Sequence, residues 1–171
     1  MEPESKDMIV LGAIKSGAKN FDKIRKITHI EPEELNSILE RLEERGLIVP
    51  QEKKGLFGKK IEILATEKGH NELEHRIHEL EGKWNKLQAL YKSGDKQRLE
   101  EEMMSNKQMF GMMMFFGIID MMMFSMMFSM IGATMHDFVP AEDIPEGMDD
   151  VGDVDGGGGM DDGGFDIDIG F

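Results

Sequence analysis

The stretch "LERLEERGLIVPQEKKGLFGKKIEILATEKG", residues 39–69, decides the fold. Its first part has an apolar stripe at helical spacing and is stopped by Gly46. "LIVP" and "IEIL" then read as two strands around the turn "QEKKGLFGKK". "TEKG" leads into a further helical pattern. Working backwards, Pro32 suits the first turn of a third helix with Leu35, Ile38, Leu39 and Leu42 on one face. Asn20 is placed to cap a short second helix carrying Phe21, Ile24 and Ile27. Ser5 is placed to cap a first helix with Met8, Leu11 and Ile14, which Gly17 ends.

Three helices followed by a two-stranded wing is the element order of a winged helix-turn-helix domain. Residues 1–90 resemble archaeal and bacterial winged-helix regulators of the MarR and PadR kind. The resemblance rests on the third helix, the wing and the T-x-K-G exit, Thr66 to Gly69. It implies a mainly α fold with a small β-hairpin wing. It also implies an exit helix that dimerises.

Four regions follow. Residues 1–66 are expected to form the winged-helix domain. Residues 67–102 form a helical arm or hairpin. Leu73, Ile77, Leu80, Trp84, Leu87 and Tyr91 make a heptad seam there, read as a coiled-coil dimer contact, with an intramolecular hairpin as the alternative because "SGD" at 93–95 breaks it. Residues 103–136 form a methionine-rich hydrophobic helix. Residues 137–171 form a Gly- and Asp-rich tail, expected to be disordered.

Charge is unevenly spread over the 171 residues. The net charge is −14, yet residues 1–70 balance with 13 basic and 13 acidic side chains. After Lys107 there is no Lys or Arg, but 13 Asp or Glu. Cysteine is absent, which excludes disulfides, thiolate metal sites and a cysteine nucleophile. The opening "MEPESKD" lacks the basic and apolar parts of a signal peptide, and a cytoplasmic location is expected, with membrane association as the alternative.

The methionine segment holds 13 methionines between residues 103 and 135, and no Leu or Val from Met109 to Met135. One reading is a membrane span over 109–135, opposed by the charge of Asp120 near its centre. A second is ordinary core. The favoured third is an adaptable surface, because unbranched, polarizable methionine fits many apolar partners. In composition the segment resembles the client-binding regions of signal-recognition-particle M domains and ubiquilin-type co-chaperones. The client-binding residues are expected to be Met109, Met112, Met113, Met114, Phe115, Phe116, Met121, Met122, Met123, Phe124, Met126, Met127, Phe128 and Met130. A helical wheel gathers Gly111, Gly117, Ser125, Ser129 and Gly132 on the opposite side.

The runner-up is a DNA-binding regulator, using Asn36, Arg41, Lys53, Lys54, Lys59 and Lys60. Against it, the exposed side of residues 31–45 carries Glu31, Glu33, Glu34, Glu40, Glu43 and Glu44, which repel phosphates. A membrane-anchored winged-helix protein is the second alternative.

No catalytic constellation is found, and no enzymatic activity, cofactor or metal is expected. The nearest metal candidates are discounted: Glu74, His75, His78 and Glu79 on one helix, a thioether cluster at Met112, Met113 and Met114, and "GGGGMDD" at 156–162. The ending "FDIDIGF" alternates Phe165, Ile167, Ile169 and Phe171 with polar residues, a strand period suited to docking on a partner. The expected partners are hydrophobic protein segments or a partner protein and a second copy in a homodimer, with DNA and a membrane as alternatives.

Overall fold

The computed structural model describes residues 3–141. Helices α1 (Pro3–Lys15), α2 (Phe21–Thr28) and α3 (Pro32–Glu44) precede an antiparallel hairpin of β1 (Ile48–Gly55) and β2 (Gly58–Ala65). Helices α4 (Glu67–Ser93), α5 (Lys96–Asn106), α6 (Phe110–Phe115) and α7 (Met121–Ile131) follow, with short 3₁₀ turns at Lys107–Met109 and Met135–Asp137. The described residues are thus mainly helical, with one small two-stranded sheet.

Helix α1 is the centre of the molecule. Met8, Ile9, Val10, Leu11, Ala13 and Ile14 are all buried, so it is apolar on every side rather than along one stripe. It touches α2, α3, β2, α4 and α6. The helix begins at Pro3, before the expected cap. Ser5 lies buried inside the first turns and does not cap it. Asn20 does cap α2, accepting a 2.9 Å bond from the Lys23 amide.

The hairpin is longer than the sequence pattern suggests. Its ladder runs through the lysines, pairing Lys53 with Lys60 and Lys54 with Lys59, and only Leu56 and Phe57 turn the corner. The Ile63 amide donates to the Lys19 carbonyl at 2.8 Å, which ties β2 to the α1–α2 connection. At the hairpin's exit Thr66 caps α4. Gly69 lies so close to the returning chain that a Cβ there would sit 2.1 Å from the Leu47 carbonyl oxygen.

Helices α4 and α5 form an antiparallel pair. Gly94 ends α4 in the left-handed region (φ 74°), and Asp95 caps α5. Lys86 pairs with Glu102, and Lys83 Nζ donates to Asn106 Oδ1 at 3.3 Å across the pair. This turns the heptad seam inward. Leu73, Leu80, Trp84 and Leu87 are buried within the chain and Ile77 and Tyr91 half-buried, so the seam packs against the chain's own helices, as in the hairpin alternative.

The methionine segment is not one helix. Gly117, at φ +67°, stops α6, with the Gly117 amide donating to Met114 O and the Ile118 amide to Met113 O. Asp120 then starts α7, accepting from the Met123 amide at 3.1 Å. The residue read as a charge stranded in a span is therefore an exposed helix cap. Breaking the helix also disperses the small-residue face expected of Gly111, Gly117, Ser125, Ser129 and Gly132. Among the described residues no helix is long and apolar enough to cross a membrane. The expected tail begins later than residue 137, because Phe138 and Val139 are buried. The rest of it, residues 142–171, lies outside the described residues.

Gly69→Ala should lower stability by about 1–3 kcal/mol, because backbone must shift. Asp120→Ala should cost about 1 kcal/mol through the lost cap. Thermal unfolding followed by circular dichroism reads both.

Candidate hydrophobic interface

The two methionine-rich helices lie over a chain of aromatic rings. Phe124 packs edge-on against Trp84 (6.0 Å between centroids), Phe110 (4.9 Å) and Phe128 (4.6 Å). Phe128 continues to Phe138 at 5.2 Å. Met103, Met112, Met113 and Met127 fill the spaces between with no exposure. On the other flank the Phe116 ring rests on α1 at Gly12, where a Cβ would come within 2.5 Å of Phe116 Cε1. The segment is thereby fastened to the central helix.

This sorts the expected client-binding residues into three groups. Met112, Met113, Phe124, Met127 and Phe128 are buried, and belong to the core rather than to a surface. The ordinary-core reading holds for them, because flexible thioethers close the gaps that the aromatic rings leave. Met109, Met114, Phe115, Phe116, Met121, Met123 and Met130 are half-buried. Lys83 Nζ donates to Met109 Sδ at 3.2 Å. Met122 and Met126 face solvent, 72% and 43% exposed.

Those two residues are four apart and share one face of α7, with Ser129 exposed a turn further on. Helix α7 carries no charged side chain along its length. Its solvent side is therefore methionine and serine, where the exposed sides of α3 and α5 are dense in Glu, Lys and Arg. Tyr91 borders the strip, its hydroxyl donating to Met126 Sδ at 3.4 Å.

The residues expected to contact nucleic acid divide as well. Asn36 is exposed on α3. Arg41 is engaged: its Nη2 lies 2.5 Å from Asp7 Oδ1 and its Nε donates to Asp7 Oδ2 at 3.3 Å. That hydrogen bond to Asp7 raises the Arg41 pKa further, despite opposing desolvation. Arg45 shares Asp7 and pairs with Glu72. The exposed remainder of α3 is mostly glutamate. The hairpin lysines are all exposed. Lys53 pairs with Glu62 at 2.9 Å and Lys59 with Glu52 at 3.4 Å, and Lys54 and Lys60 have no ion pair among the described residues. The hydrogen bond from Lys53 holds the Glu62 carboxyl below its ordinary range, helped by the charges of Lys53, Lys19 and Lys60. Lys19 therefore extends the basic patch of the hairpin onto the α1–α2 connection.

One feature escaped the sequence reading. Leu56 and Phe57, taken as part of a turn, are fully exposed at the hairpin's end. The signal was present in "KKGLFGKK", where two large apolar residues stand between glycines and lysines. Phe165, Ile167, Ile169 and Phe171 lie outside the described residues. Among the described residues no three His, Asp or Glu side chains cluster in a way that holds a metal ion.

No protein-family model matches the chain, and neither a curated protein nor a solved structure shows significant similarity to it.

Core and surface methionine sites should separate by mutation. Phe124→Ala should cost about 3–5 kcal/mol. Met122→Ala should stay within about 0.5 kcal/mol. Urea unfolding midpoints of the two variants measure the contrast.

Proposed function

We propose that this chain is a non-enzymatic binding protein that holds apolar segments of other proteins against the solvent face of α7. The observation that carries the reading is an exposed helix face without a charge: Met122, Met126 and Ser129 stand where soluble helices ordinarily place Lys and Glu. Methionine suits this task because its rotamers change cheaply and its sulfur is polarizable. One strip then accepts apolar side chains of differing shape. The half-buried Met121, Met123 and Met130 flank the strip and extend it when they turn outward. The buried aromatic floor holds the helix in place while its outer side adapts.

In this reading α1, α2, α3 and the hairpin form a winged helix-turn-helix unit, as their order supports, serving as a scaffold. A nucleic-acid role has one observation in its favour, the lysine-rich hairpin. It has two against it: Arg41 and Arg45 are already ion-paired, and the outer side of α3 is acidic.

A photocrosslinking residue at position 122 or 126 should capture a hydrophobic transmembrane-type peptide, and one at buried position 113 should not. Met122→Asp with Met126→Asp should weaken peptide binding roughly tenfold or more, since an unpaired carboxylate must then be desolvated. Equal crosslinking from 113 and 122, or affinity unchanged in the double variant, would overturn the assignment. Crosslinks only to a second copy of the chain would make the strip a self-association surface instead.

A further inference from the structure

The hairpin is the other unexplained surface, and it stands apart from the α7 strip. From Val49 to Ile61 every residue is exposed, so the ribbon projects from the body. Leu56 and Phe57 form its end, at 99% and 105% of full exposure. Nothing among the described residues covers them. Behind them, after the Gly55–Gly58 rung, come two rungs made only of lysine, Lys54 opposite Lys59 and Lys53 opposite Lys60. Successive residues of a strand point to opposite faces, so one lysine pair lies on each side of the ribbon. Like charges directly opposite one another destabilise a hairpin. Glu52 and Glu62 each neutralise one lysine of a pair, and the collar keeps a net positive charge.

We propose that this hairpin docks the protein on the surface of an anionic lipid bilayer, with Leu56 and Phe57 entering the acyl boundary and the lysines meeting the headgroups. The dimensions agree. At about 3.3 Å per residue the two lysine rungs lie roughly 7 and 10 Å behind the tip. Apolar groups of interfacial anchors sit about 5–10 Å deep at the headgroup boundary. Lysine suits the collar because its long stem lies along apolar surface while the ammonium reaches water and phosphate. The chemistry favours lipid over nucleic acid. Leu56 has no π face to stack on a base. The two tip residues offer no side-chain donor or acceptor to a base edge, and lysine is a point charge rather than a planar fork.

The test uses the full chain and vesicles of phosphatidylcholine, either alone or with about one-third phosphatidylglycerol. Sedimentation should show binding to the anionic vesicles only, weakened by high salt. Leu56→Ser with Phe57→Ser should reduce binding roughly tenfold or more. The lysines remain in that variant, and fully exposed positions leave the fold intact, which its melting temperature verifies. A Phe57→Trp variant should shift its emission to the blue on the same vesicles, against the constant background of buried Trp84. Three results would each overturn the proposal: no binding to anionic vesicles, binding untouched by the serine pair, or no blue shift. Tight, salt-sensitive binding to duplex DNA or RNA without vesicle binding would assign the hairpin to nucleic acid.

Discussion

Burial of α1 on all sides is the constraint on which the remaining structure depends. A helix of thirteen residues whose Met8, Ile9, Val10, Leu11, Ala13 and Ile14 all leave water needs neighbours around its whole circumference. Helices α2 and α3 and strand β2 cover part of it, and α4 and α6 cover more. The N-terminal helices and hairpin alone leave the α6 side open. The methionine segment is therefore a structural part of the same core, joined at Gly12, where the absent Cβ makes room for the Phe116 ring.

That requirement explains why methionine serves two purposes here. Rigid aromatic rings run from Trp84 through Phe124 and Phe128 to Phe138, and rings in edge-on contact leave irregular gaps. Met103, Met112, Met113 and Met127 are fully buried in the same core, where an unbranched side chain suits irregular gaps. The same residue on the outer side of α7, with no gap to fill, makes an exposed apolar face. One composition therefore yields both a core and a surface. Only the helix register, set by the Asp120 cap and the Gly117 break, decides which methionine does which.

Much of the architecture was legible in the sequence because it is written in local signals. Asn20, Pro32, Gly46 and Gly94 mark helix ends by backbone chemistry that acts wherever the chain goes. The hairpin followed from its alternating apolar residues. The misreadings concern signals whose meaning depends on long-range packing. A heptad seam looks the same whether its partner is another chain or α5 and α7. The buried Leu73, Leu80, Trp84 and Leu87 follow the expected register and pack within the chain, as in the hairpin alternative. Asp120 illustrates the same limit: a carboxylate in an apolar run reads as a cost in a helix and as a stabilising cap at a break. Leu56 and Phe57 were overlooked because periodicity methods assign turns and do not ask whether turn side chains find cover.

The distribution of charge separates the scaffold from the surfaces. Asp7 is buried on α1, and leaving its charge unpaired there would be costly. Arg41 and Arg45 reach it from α3 and its end, and Arg45 also holds Glu72 on α4. This network fixes the angle between three helices by consuming the two arginines of α3. What remains on that helix's outer side is glutamate, which leaves it a poor face for any anion. Positive charge without an ion pair among the described residues lies on the hairpin at Lys54 and Lys60, at neighbouring Lys19, and on α2 at Lys23, Arg25 and Lys26. The sequence's balance of basic and acidic residues in its first seventy positions hides this partition. A neutral total is compatible with a strongly basic edge once the compensating acids are committed elsewhere. Such an edge acts over a range of about a Debye length.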